Sequence, residues 1–194
     1  MRLKRRPNLY IALIHYPIYN KNKKIVTTAV TSFDIHDIAR LARTYDVSGF
    51  YIVMPIEAQK RLCERIINHW TEGFGAGYNP TRKEALKIVS IAPDLKSVKA
   101  DIVRKHKIQP KIITTDARIF KGSIDYVKLK ERIWKDQTPY LILFGTGWGL
   151  AKRVMNSADY ILKPIRAKAD YNHLSVRSAA SIILDRLLGE EVVK

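Results

Sequence analysis

Leu141-Ile142-Leu143-Phe144-Gly145-Thr146-Gly147-Trp148-Gly149-Leu150, then Tyr160-Ile161-Leu162-Lys163-Pro164-Ile165, then Tyr171-Asn172-His173-Leu174-Ser175-Val176-Arg177-Ser178-Ala179-Ala180-Ser181-Ile182-Ile183-Leu184: these three runs decide how the fold is read. The first is a buried-strand run, Tyr140 to Phe144, that enters a glycine turn. The second is a short apolar run stopped by Pro164, and the third is a polar loop that opens a small-residue amphipathic helix. Two strand ends and a helix start therefore turn backbone N–H and C=O groups toward one place, which suits a nucleotide-like ligand.

The rest of the chain repeats this alternation. Strand-like runs are expected at Leu9–Ile14, Gly49–Met54, Leu86–Ile91, Lys111–Thr114, Tyr140–Phe144 and Tyr160–Leu162. Helical periodicity is expected at Asp34–Tyr45, Glu57–Thr71, Leu95–His106, Tyr126–Trp134, Leu150–Asn156 and Val176–Leu188. Unbroken Ile/Val/Leu strands alternating with helices predict an α/β fold, a mostly parallel sheet with helices on both faces. No Pro/Ser-rich linker divides the chain, so residues 1–194 read as a single domain. Ligands of such sheets bind outside the carboxyl ends of the strands. The loops in question are Thr114-Thr115-Asp116, Phe144 to Gly149, and Pro164 to Ser175. The segment Gly73-Phe74-Gly75-Ala76-Gly77-Tyr78-Asn79-Pro80, followed by Arg82 and Lys83, reads either as a clamp for an unpaired base or as a plain helix-to-strand connection.

Charge points to a polyanion. Lysine and arginine total 35 against 18 aspartates and glutamates, a net charge of +17 over 194 residues. Arg2, Lys4, Arg5, Arg6, Lys21, Lys23 and Lys24 all precede the first acid, Asp34. A heat-tolerant surface rich in lysine is normally matched by glutamate, and here it is not, so RNA is the expected partner. Cys63 is the single cysteine, which leaves no disulfide framework or cysteine metal site. The apolar runs fall short of the roughly 18 residues that span a bilayer, and no signal-peptide core is evident, so a cytoplasmic location without membrane contact is expected.

Gly145-Thr-Gly-Trp-Gly invites a dinucleotide reading, but its spacing is Gly-x-Gly-x-Gly and too little chain follows to complete that fold. No Lys-Ser or Lys-Thr follows, which excludes a P-loop. The arrangement instead resembles the C-terminal half of the SPOUT superfamily of RNA methyltransferases. There the last two loops and the final helix form a trefoil knot that holds S-adenosylmethionine. Leu174-Ser175-Val176 with the small residues Ser178, Ala179, Ala180 and Ser181 is similar to the third motif of the SpoU branch, although Tyr171 and His173 stand where that branch has Ser and Asn. Asp34-Ile-His-Asp-Ile-Ala-Arg40, continued by Tyr45-Asp46-Val47, resembles its first motif, with Asp34 and Asp37 near the places of its asparagines. Its second motif carries a Glu in the glycine loop, and Gly145 to Gly149 contains no acid.

The resemblance implies a C-terminal trefoil knot, S-adenosylmethionine as cofactor, RNA (most often tRNA) as substrate, and a homodimer. It places the cofactor against Thr114, Thr115, Phe144, Gly145, Thr146, Gly147, Trp148, Gly149, Ile161, Leu162, Pro164, Ile165, Asn172, His173, Leu174, Ser175 and Val176. Arg40 falls on the arginine that the SpoU branch uses at a reacting ribose 2′-hydroxyl; because members of the superfamily are dimers with the site at the subunit interface, the resemblance also allows Arg40 to serve the partner subunit's cofactor. An arginine stays protonated, so it would stabilise the alkoxide, with His173 as the candidate base. The alternative acceptor is guanine N1, where the superfamily uses an aspartate, here Asp116 or Asp170. The competing reading is a noncatalytic RNA-binding or assembly module of the same fold.

Overall fold

The computed structural model describes residues 6–135 and 137–190; Arg2, Lys4 and Arg5 of the basic N-terminal run lie outside them. Six strands form one parallel sheet: β1 (Leu9–Ile14), β4 (Gly49–Val53), β5 (Val89–Ala92), β6 (Lys111–Thr114), β7 (Tyr140–Gly145) and β8 (Tyr160–Ile161). Their order is β5-β4-β1-β7-β6-β8, so β1 and β7 are central and pair from Leu9 with Tyr140 to Ile14 with Gly145.

Both faces of the sheet are covered, which explains why its inner strands β1, β4 and β7 are apolar without a break. Leu9, Ile11, Leu13, Phe50, Ile52, Ile113, Ile142 and Phe144 face one layer of helices. These are α1 (Ser32–Thr44), α2 (Glu57–Thr71), α6 (Tyr126–Lys135) and α8 (Val176–Leu188). Tyr10, Ala12, Ile14, Tyr51, Val53, Ile112, Leu141 and Leu143 face the other layer, α5 (Leu95–His106) and the short α7 (Lys152–Met155). The starts of α1, α5 and α8 follow local chemistry. Thr31, Asp94 and Ser175 cap them by accepting from the backbone N–H of Asp34, Ser97 and Ser178.

Three differences from the expected elements have local causes. The run at Leu86 is not a strand start: Asn79 caps a helix with Pro80 in its first turn, so α4 (Pro80–Leu86) takes Leu86 and β5 begins at Val89. The glycine segment is not a loop, because Phe74–Tyr78 forms a short helix, α3. A Cβ on Gly75 would lie 2.6 Å from Trp70 Cε3, so this glycine is what lets α3 sit against α2. Leu150 does not begin α7, because it bridges to Ile18. That bridge also reveals a small hairpin, β2 (Ile18–Tyr19) with β3 (Ile25–Val26), whose turn is braced by the Asn20 side chain accepting from the N–H of Asn22 and Lys24.

Candidate functional site

A cavity of 800 Å³ opens where the chain leaves β6, β7 and β8, a size ordinary for a cofactor-sized ligand. Three stretches wall it: Thr115 to Arg118, Phe144 to Gly149, and the pieces Lys163–Ile165 and Asn172–Val176. Thr28, Ala29, Asp34, Ala179 and Ile183 complete it. The glycine turn is built by backbone conformation. Gly147 and Gly149 have φ of 54° and 96°, the left-handed region that side chains resist. The turn is tied to β2 by Trp148 N–H donating to Tyr19 O and Tyr19 N–H donating to Gly149 O, both at 3.0 Å.

Asp116 is the most tightly held group of the wall. Its side chain is 5% exposed and meets Arg118 through Nε at 2.9 Å and Nη2 at 2.7 Å. Its Oδ1 also accepts from the Arg118 backbone N–H at 2.8 Å. Asn172 Nδ2 donates to Ala117 O at 3.0 Å and so joins the loop before α8 to the loop after β6. Asp34 accepts from the Thr31 hydroxyl at 2.7 Å and faces Arg177 at 3.7 Å. The cavity therefore offers two carboxylates, an apolar wall (Phe144, Pro164, Ile165, Leu174, Ile183) and a glycine-lined backbone edge. This combination fits a ligand with an aromatic base and a sulfonium or ammonium charge, as S-adenosylmethionine has. Among the described residues no cluster of His, Cys, Asp and Glu could hold a metal ion.

Thirteen-residue spacing hides a second layer beneath the glycine turn. His15 Nδ1 lies 3.1 Å from Thr28 Oγ1, Thr28 Oγ1 contacts Thr146 Oγ1, and Thr146 Oγ1 donates to Ile14 O at 3.1 Å. His15 is fully buried, and burial pushes its pKa from 6.5 down to about 4 against the opposing pull of Asp34. The fold thus holds the imidazole neutral. Between pH 6.5 and 4 the unfolded chain binds a proton that the native chain refuses. Stability should therefore fall as pH falls through that window, by roughly 3 kcal/mol in all, and level off below it. Urea unfolding of the wild type and His15→Gln at pH 7.5 and 5 checks this: the variant should lose part of the pH dependence, and an identical slope in both proteins would refute it.

Most of the expected cofactor residues come together here: Thr115, Phe144, Gly145, Thr146, Gly147, Trp148, Gly149, Pro164, Ile165, Asn172, His173, Leu174, Ser175 and Val176 all line the cavity. Thr114, Ile161 and Leu162 do not. Thr114 and Leu162 are buried, and Thr114 and Ile161 pair between β6 and β8, so these residues support the wall from behind. Arg40 is also outside the cavity. Ile35, Ile38, Ala39 and Ala42 take the buried face of α1, which leaves Arg40 exposed on the opposite one. Asp170 is exposed and does not line the cavity either. Thr28, Ala29, Asp34, Ala117, Arg118, Lys163, Ala179 and Ile183 were missing from the expected set; of these, Asp34, Ala179 and Ile183 lie in stretches that carry the family resemblance.

A family model described as SAM-dependent RNA methyltransferase matches residues 8–189. An Aquifex aeolicus protein, described only as uncharacterized, is 46% identical over 93% of this chain and 88% of its own length. A protein of Nitratidesulfovibrio vulgaris named tRNA (guanine-N(1)-)-methyltransferase is 44% identical over 94% of this chain. The chain spans only 42% of that relative's length. Among solved structures, the SpoU methyltransferase AviRb of Streptomyces viridochromogenes in complex with AdoMet superposes with a TM-score of 0.57. It is 15% identical, with 96% of this chain and 62% of that one covered. TrmJ of Z. mobilis ZM4 gives 0.59 at 13% identity, covering 98% and 72%. These two likenesses concern the fold.

Proposed function

This chain belongs to the SAM-dependent RNA methyltransferases, and from that premise we propose that it methylates guanine N1 of a tRNA. The observation that carries the choice of acceptor is the likeness to relatives that bear that activity in their names. Arg40, which the ribose reading puts at the reacting group, stands on the far face of α1 from this chain's own cavity, so in that reading it would serve the cofactor of a partner subunit. Two relatives named tRNA (guanine-N(1)-)-methyltransferase, each 44% identical to this chain, support the guanine reading, although the chain spans 42% of each.

The cofactor supplies an activated methyl on a sulfonium, so the protein has chiefly to align donor and acceptor. The backbone of Phe144 to Gly149 and the loop Asn172 to Val176 would hold it, with Ile165 and Leu174 against its base and Asp116 and Asp34 near its positive charges. The N1–C bond forms as the methyl–sulfur bond breaks, and the N1 proton must leave. Asp116 is committed to bidentate contacts with Arg118. His173, exposed at the mouth of the cavity, carries no such contact and takes the proton.

We also propose that residues 1–194 act as one methyltransferase domain and that the segment from β8 to α8 is threaded as a trefoil knot. β8 sits at the sheet edge, while α8 returns to pack on α1, α6 and the central β7. A homodimer that covers the exposed Phe33, Trp148 and Leu174 is part of the same proposal. No helix among the described residues is long and apolar enough to cross a membrane.

The test is methyl transfer from labelled S-adenosylmethionine to unmodified tRNA transcripts, followed by nucleoside mass spectrometry. The expected product is 1-methylguanosine. A 2′-O-methylated nucleoside would return the acceptor to the ribose, and transfer only to other RNAs would remove tRNA.

A further inference from the structure

The face formed by α1, α2 and α3 is not used by the cofactor cavity, yet it carries the chain's most exposed aromatic pair. Phe74 and Tyr78 are 81% and 76% exposed. They stand one turn apart on α3 with ring centroids 6.0 Å apart and planes within 21°, already stacked. Exposed rings on a short helix are normally mobile, but here the helix is seated: Gly75 allows it to close on Trp70. Trp70 is in turn held edge-on by His36 and His69, and Arg82 lies 4.4 Å over its ring.

Beside the pair is an open hollow of 840 Å³, with His36, Arg65, His69, Trp70 and Glu72 among its lining residues. Arg40, one turn beyond His36 on α1, and Arg82 both lie close enough to lower the His36 pKa electrostatically, after burial as the larger cause. Several arginines elsewhere are ion-paired, Arg43 with Glu84, Arg61 with Glu57, Arg104 with Asp101 and Arg177 with Asp37, and others, Arg132, Arg153 and Arg186, lie over tyrosine rings. Among the described residues no ion pair engages Arg40, Arg65 or Arg82. Arg82 Nε and His36 Nδ1 are buried without a hydrogen-bond partner. Unpaired guanidinium groups next to stacked, solvent-facing rings are the chemistry that binds unpaired nucleotides, rings for bases and cations for phosphates.

We propose that this face is a second RNA-contact surface, on which an unpaired base stacks on the Phe74–Tyr78 pair while neighbouring phosphates pair with Arg40, Arg65 and Arg82. Asp34 lines the cavity and His36 the hollow, two residues apart and so on opposite sides of α1, which places this surface across that helix from the cofactor site. A second copy of this chain is the weaker occupant. A two-fold contact through the same patch would bring unpaired guanidinium groups of both copies together, with Glu72 the acid lining the hollow. The proposal rests on RNA as substrate and not on guanine N1 as acceptor.

The test uses fluorescent deca-adenylate RNA and an unmodified tRNA transcript as probes, with S-adenosylmethionine calorimetry as the check on folding. Phe74→Ala/Tyr78→Ala should bind deca-adenylate roughly tenfold more weakly or worse, with cofactor affinity unchanged. Phe74→Tyr should retain binding. Arg65→Gln, on an exposed helical position, should weaken both probes and lower the slope of log affinity against log salt by about one. Unchanged RNA affinity in the double variant and in Arg65→Gln would overturn the proposal, as would a wild type that ignores deca-adenylate. So would a self-association lost in the double variant while RNA affinity stays the same. Transfer to ribose instead of guanine would leave this surface standing.

Discussion

Ala179→Trp should abolish measurable S-adenosylmethionine binding, a loss of about 100-fold or more in affinity, while the protein stays folded. Ala179 lies in the first turn of α8, is half-buried, and faces the cavity between the glycine turn and the loop that caps this helix. An indole there occupies space the ligand needs, and a 100-fold loss corresponds to only about 2.7 kcal/mol of displaced contact. The helix itself loses roughly half a kcal/mol in propensity, too little to unfold a domain. Gly147→Val attacks the same cavity from the opposite wall at a higher structural cost. Its φ of 54° is unfavourable for a branched side chain, and a Cβ would lie 3.0 Å from Ile18 Cγ2 and 3.2 Å from Thr28 Cγ2. The valine should therefore lower thermal stability as well as affinity, whereas the tryptophan should lower affinity alone. Calorimetric titration of both, with circular dichroism as the folding check, separates these effects. Wild-type affinity in a folded Ala179→Trp would mean that the cofactor binds elsewhere.

What the sequence made legible is what local chemistry encodes. β1, β4 and β7 are unbroken apolar runs because both of their faces are buried, and the final helix shows its small-residue face directly. The glycine turn was readable because its two positive-φ positions are glycines. The missing parts have equally physical reasons. The β2–β3 hairpin has two residues per strand and depends on the Asn20 side chain and the bridge from Ile18 to Leu150, neither of which leaves a periodic trace. Phe-Gly-Ala-Gly-Tyr has poor helix propensity and becomes α3 through packing on Trp70. The start of α4 was in fact signalled, since Asn79-Pro80 is a capping pair, but the apolar Leu86 suggested a strand. Thr28 and Ala29 reach the cavity through tertiary folding alone. Arg40 lies off this chain's own cavity, and a motif position by itself does not say whether such a residue serves its own subunit's site or a partner's.

His173→Asn should lower the rate constant for methyl transfer by roughly 10²- to 10⁴-fold, the usual worth of a positioned general base. Guanine N1 carries a proton that has to leave as the new N–C bond forms, and three groups at the cavity are of a type that receives one: Asp34, Asp116 and His173. Asp116 is already committed to paired contacts with Arg118, and Asp34 accepts from Thr31 while facing Arg177. His173 has no such commitment; its ring meets Tyr171 edge-on, with centroids 5.4 Å apart, and its side of the loop is open to solvent. An imidazole is also the side chain best suited to exchange a proton near neutral pH. Because the effect belongs to the transition state, kcat should fall while the KM for S-adenosylmethionine changes little. Asp116→Asn should do the reverse in part, raising that KM if its charge faces the cofactor. Arg40→Ala, off the cavity, should keep kcat within a few-fold and show its effect in RNA affinity. Single-turnover transfer to a tRNA transcript distinguishes the three: an unimpaired rate in His173→Asn together with a collapsed one in Asp116→Asn would move the proton to the carboxylate, and a collapsed rate in Arg40→Ala would restore the arginine to the reacting group.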